Sequence, residues 1–167
     1  EFMVVLNDRP YTEQLRGACE IFLHLEKLLK EKGMSTNVGN EGGFAPGFSS
    51  NEEAFGVISE AIANAGYELG KDVSFALDVA ASEFYDKEKN IYKLNTEGRE
   101  LSPEEWSDTL KSWVEKFPFV SIEDPFDEDD WDSWVAFTAA VGDKIQIVGD
   151  DLLAVSYTHL TLPTMMS

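Results

Sequence analysis

VSFALD at residues 73–78, FVSIE at 119–123 and KIQIVGD at 144–150 decide how this chain is read. Each is a short, mostly apolar run, which suits a strand buried on both faces. Each also closes on a carboxylate: Asp78, Glu123 and Asp150. EFMVVL at 1–6 reads as a further buried strand, ended by Asn7-Asp8-Arg9-Pro10. Helical patterns lie between these runs. From Tyr11 to Lys32, Leu15, Ala18, Cys19, Phe22, Leu25 and Leu29 recur every three or four residues and Gly33 stops them. His24 sits within that pattern and reads as a surface or interface residue before it reads as a catalytic one. A second helix is expected over about 51–65, with Glu52 and Glu53 at its positive end and Gly66 after it. Ser102-Pro103-Glu104-Glu105 starts a third, running to about Lys116, and a fourth is expected from Asp127 to Val141. The stretch around Phe84, Tyr85, Ile91, Tyr92 and Leu94 alternates about a charged turn and reads as a surface hairpin.

Strands and helices that alternate in this way point to βα units around a parallel sheet. Acids are unwelcome in doubly buried strands, so three at successive C-terminal strand ends require a cause. In a (β/α) barrel those ends form the mouth of the active site. Carboxylates converging there repel one another unless a cation lies between them, and an all-oxygen set suits Mg²⁺. The alternative is that each acid merely caps a helix or sits in a loop. A complete barrel takes about 250 residues; this chain has 167 and four or five strands, so its architecture is incomplete or differently closed.

Lys and Arg total 13 against 32 Asp and Glu, a formal charge of −19, which repels a phosphate backbone and argues against nucleic acid. Hydrophobic residues at 43% and aromatics at 12% are too many for a disordered chain. The lone Cys19 cannot form an intrachain disulfide, which fits a reducing compartment. No apolar run reaches the length of a membrane span, and an opening at Glu1-Phe2-Met3 reads as a chain cut from something longer.

TNVGNEGGFAPGFSS at 36–50 lacks the Gly-Lys-Ser/Thr ending of a phosphate loop and the spacing of a dinucleotide fingerprint. Its glycines allow sharp turns that leave Glu41 accessible, a candidate general acid or base, with a solvated loop residue as the alternative. Two stretches imitate calcium loops and fail. The run from Asp127 has Asp132 where glycine is needed, and the run from Asp86 to Glu97 has Ile91 there. The acids from Asp124 to Asp132 read as a loop and a helix start, and Trp106, Trp113, Trp131, Trp134 and Phe137 as packing residues.

Taken in order, NVGNEGGFAP, ALDVAASEFYD, VSIEDPFDEDDW and IQIVGDDL closely resemble the enolase (phosphopyruvate hydratase) family. The resemblance implies an α/β fold, a partial enolase-type (β/α)8 TIM barrel over 1–154 lacking the family's N-terminal α+β domain. Residues 155–167 look like a non-native tail. It implies Asp78, Glu123 and Asp150 as Mg²⁺ ligands, Glu123 and Asp150 also lying against substrate. Glu41 becomes the catalytic acid that assists loss of hydroxyl, and Glu1 an active-site residue that supports it. The implied reaction is a glycolytic lyase step, the reversible dehydration of 2-phosphoglycerate to phosphoenolpyruvate. It further implies a cytoplasmic homodimer when full length, with surface or secreted forms left open. Asn40 stands where the family usually carries Asp, and the family's Lys base has no counterpart here. The segment alone is therefore expected to be inactive. Two other readings stay open: an acidic fragment that binds divalent metal without catalysis, and an interaction fragment whose acids are only surface charge.

Overall fold

A computed structural model describes residues 1–154, so the tail expected at 155–167 lies outside the described residues. In chain order the elements are β1 (Phe2–Leu6), α1 (Tyr11–Glu31), α2 (Asn51–Asn64), β2 (Val73–Asp78), β3 (Tyr85–Asp86), β4 (Ile91–Leu94), β5 (Arg99–Leu101), α3 (Pro103–Lys116), β6 (Phe119–Glu123), α4 (Trp131–Val141), β7 (Gln146–Val148) and α5 (Asp151–Ala154). The chain is α/β, as its alternating pattern implies, and the described strands form two open sheets rather than a closed barrel. It divides into two compact units.

The first unit comprises 2–76 and 95–99. β1 lies beside β2, and just beyond it the Asn7 amide donates to the Asp72 carbonyl at 2.9 Å. Phe55 of α2 is fully buried and meets Phe2 edge-on at 4.9 Å and Phe75 at 5.5 Å. α2 begins where its sequence indicates. Ser50 Oγ accepts from the Glu53 amide at 3.2 Å, and the Glu53 carboxylate reaches back to Ser49.

The buried face of α1 differs from the expected one. Gly17, Ile21, Leu28 and Leu29 are buried, whereas Leu15, Cys19 and Phe22 are exposed. The reason is Gly17, which the hydrophobic pattern could not weigh. A Cβ at that position would lie 2.2 Å from Leu6 Cδ2 and 2.9 Å from the Tyr67 hydroxyl, so the helix turns its bare backbone inward. Gly17→Ala is accordingly expected to lower stability by about 1–3 kcal/mol, the cost of overpacking. The gain of up to ~1 kcal/mol in helix propensity is too small to reverse the sign. A thermal melt that shifts upward would contradict this packing.

The second unit comprises, among the described residues, Glu1, Leu77–Leu94 and residues 100–154. α3 carries a full capping box: Ser102 Oγ accepts from the Glu105 amide at 3.2 Å and Glu105 accepts from the Ser102 amide at 2.9 Å. The expected surface hairpin is deeper than a surface feature. β3 and β4 pair antiparallel, with Tyr85 opposite Tyr92, and β5 adds a third strand. Tyr92 is fully buried beside Phe84, Trp106 and Phe126. Trp106, Trp113, Trp134 and Phe137 are core residues as expected, but Trp131 is 57% exposed.

α4 starts at Trp131, four residues later than the acid-rich sequence suggested. The groups that would extend it are committed elsewhere. The Asp127 amide donates to the Tyr92 hydroxyl, and that hydroxyl donates to Asp130 at 2.8 Å. The other Asp130 oxygen caps the helix at the Ser133 amide. Asp86 likewise engages Lys93 and the amides of Glu88 and Lys89, which builds the turn of the hairpin.

Candidate metal centre

Within the second unit the end of β2, β6 and β7 lie side by side in that order. β6 and β7 run parallel, with Glu123 opposite Val148. Beyond the strands the backbone stays stitched. The Val79 amide donates to the Glu123 carbonyl at 2.9 Å, the Ala81 amide to the Asp124 carbonyl at 3.1 Å, and the Asp124 amide to the Val148 carbonyl at 3.0 Å. Parallel strands aligned in this way bring their terminal acids to one edge. Asp78, Glu123 and Asp124 each present a carboxylate oxygen, and the three oxygens lie within 4.8 Å of one another. At that distance two ionised carboxylates repel by roughly 3 kcal/mol at an effective dielectric of about 20.

The backbone around these acids is held in an uncommon form. Ala80 and Asp124 both have positive φ, +45° and +40°. A left-handed conformation costs a residue with a Cβ roughly 1–2 kcal/mol, and such strain concentrates where geometry is functional. Asp78 fixes the first of them by accepting the Ala80 amide at 3.0 Å.

Asp124 opens the loop after β6, as its place in the sequence indicates, and the structure adds that it is buried. It is only 3% exposed, inside the carboxylate group. Its Oδ1 accepts from the Asp150 amide at 3.1 Å and its Oδ2 from the Asp151 amide at 2.9 Å. Burial pushes its carboxyl above the usual carboxylate range; the charge of Asp151 adds to that, and the amides oppose it. The signal in the sequence was the second acid directly after a strand-ending Glu, in Glu123-Asp124-Pro125. Hydrophobic patterning does not distinguish it from the acids that follow.

The other expected residues are placed as follows. Asp150 is exposed, two residues past β7, and meets the group through its backbone amide. It is not one of the three residues whose oxygens cluster. The Glu1 carbonyl accepts the Asp78 amide at 2.9 Å. Glu41 belongs to the first unit, at the tip of a tight turn and exposed. The Gly42 amide closes that turn onto the Gly39 carbonyl at 3.1 Å with Gly42 at φ +88°, and the Val38–Phe44 bridge forms its base. Phe44 stacks on Phe22 at 4.3 Å, and Phe48 also packs on the Leu28–Val57 cluster, so the loop is anchored below its exposed tip.

Asp78 and Glu123 offer carboxylate oxygens only at one partly buried edge, which fits a hard divalent cation and does not fit a thiolate- or imidazole-preferring metal. Among the described residues, no helix is long and apolar enough to cross a membrane.

A family described as "Enolase, C-terminal TIM barrel domain" matches residues 1–163. An enolase from Corynebacterium kroppenstedtii is 47% identical over 161 residues, which cover 96% of this chain and 37% of that relative. The chain thus spans little more than a third of the curated protein it matches. Carboxylates gathered at adjacent parallel strand ends and a family match over nearly the whole sequence converge, and the chain belongs to the enolase family as part of its C-terminal barrel domain.

Proposed function

We propose that this segment serves, within a longer protein, the Mg²⁺-dependent reversible dehydration of 2-phosphoglycerate to phosphoenolpyruvate. The supporting observation is the gathering of Asp78 and Glu123 at one edge in a chain of this family. In this reading Asp78, Glu123 and Asp150 hold the cation and Glu41 gives a proton to the departing hydroxyl. Glu1, joined to Asp78 through the backbone, supports the site. Bound Mg²⁺ would supply positive charge against the negative charge that builds up when a proton leaves the carbon beside a carboxylate. The chain's own part is to hold its acids in place by strand pairing and to keep Glu41 on a short, packed turn from which it can protonate an oxygen. A cytoplasmic homodimer belongs to the same reading and rests on the resemblance.

Removal of the C2 proton falls to a lysine in the family, and none of the four matched motifs contains one. The 167-residue chain by itself is therefore expected to bind Mg²⁺ without turning over 2-phosphoglycerate. Calorimetric Mg²⁺ titration and phosphoenolpyruvate absorbance, on material purified from enolase-free cells, test both halves. Turnover by the isolated chain would overturn the inactivity claim. Absence of saturable Mg²⁺ binding in both the chain and the intact protein would overturn the proposed metal site.

A further inference from the structure

Asp124 differs from its neighbours in what its carboxylate is doing. Consecutive residues of a strand point to opposite faces, so Glu123 and Asp124 could not share a site if β6 continued. β6 stops at Glu123, and the positive φ of Asp124 brings the two carboxylates to within 4.8 Å. Once there, both Asp124 oxygens take backbone amides from the segment that follows β7. The same residue fastens its own amide to Val148 and its carbonyl to Ala81, so it ties the exits of all three strands together.

We infer that Asp124 is a positioning residue: it sets where Asp150 stands by gripping the amides of residues 150 and 151, and it is not itself a metal ligand. The inference rests on the reading of Asp150 as a ligand. Each carboxylate oxygen has a second lone pair, so the test must separate positioning from direct ligation.

The decisive measurement is a double-mutant cycle on Mg²⁺ affinity in the intact protein that carries this segment, read by calorimetry. Asp124→Asn should weaken Mg²⁺ binding about 10–100-fold, as loss of a partner that orients a ligand does. In an Asp150→Asn background the same change should cost nothing further, because the residue through which it acts is already disabled. A further loss in that background would overturn the inference and make Asp124 a ligand in its own right. An Asp150→Asn protein that binds Mg²⁺ normally would instead overturn the ligand assignment beneath it, and the two failures are told apart by that single variant. Asp151→Pro guards against misfolding of the Asp124 variant. It deletes the amide held by Oδ2 while leaving the Asp124 carboxylate intact, at a first helical position that tolerates proline. Weaker Mg²⁺ binding than in Asp151→Ala is the expected result, and equal binding in the two would overturn the inference.

Discussion

Replacing Glu41 by Gln in the intact protein is expected to lower dehydration about 10²–10⁴-fold, the usual worth of a positioned general acid or base. Exchange of the substrate's C2 proton with solvent should survive in part. The asymmetry follows from the order of events. In the proposed reaction the proton at C2 leaves first and the hydroxyl second, so an acid that serves only the hydroxyl leaves the first step standing. Gln keeps the size of the side chain and removes its proton. The turn should also be unharmed, because it is closed by the backbone of Gly39 and Gly42 and anchored by Phe44, with Glu41 exposed at its tip. Following deuterium incorporation and phosphoenolpyruvate formation together in deuterated buffer checks it. Equal loss of exchange and dehydration, with Mg²⁺ affinity intact, would take Glu41 out of the acid role.

Asp78→Asn and Glu123→Gln should act on both steps, because they remove charge from the proposed cation site itself. Their Mg²⁺ affinity should fall by at least the ~10–100-fold that an outer-shell partner is worth, and excess Mg²⁺ should restore part of the activity. Stability separates this from a general loss of fold. Wild type at a Mg²⁺ concentration of 100 Kd should gain about 2.7 kcal/mol over metal-free protein, and the variants should gain far less at that concentration. Without metal the order should reverse. Removing one of three carboxylates within 4.8 Å relieves repulsion, so each variant should melt no lower than wild type in chelator. Variants that melt well below wild type in chelator would show that these acids hold the fold together rather than a cation.

The Asp124 experiment and the Asp78 and Glu123 variants share a readout but not an expected pattern. Loss of a second ligand lowers affinity further, whereas loss of a positioning residue is masked once its target is gone. That difference lets affinity measurements assign roles inside a group of acids that are otherwise chemically alike.

Much of the local structure was legible because it depends on neighbours in sequence. Ser102, Pro103 and Glu105 specify the start of α3 through contacts within one turn, and the structure shows that box. VSFALD is a strand over its whole length, and Ser50 caps α2 where the acidic first turn begins. The carboxylates of Asp78 and Glu123 could be singled out because a charge at the end of an apolar run stands out without any knowledge of the partner strand. The turn at Glu41 was foreshadowed by its glycines, of which Gly42 does adopt a positive φ.

The misreadings share another physical origin: each depended on what a distant segment does. The inward face of α1 is chosen by Leu6 and Tyr67, which close on Gly17 from before and after the helix. The late start of α4 is decided by Tyr92, 35 residues upstream of the Asp127 amide it engages. The sequence by itself determined which residue types stand at the strand ends, and hence the oxygen-only chemistry and the family. Only the tertiary structure decided which of those acids meet. Strand pairing and the left-handed turn at Asp124 place that residue, rather than Asp150, beside Asp78 and Glu123, since a carboxylate's position depends on the backbone that carries it and on the amides it grips.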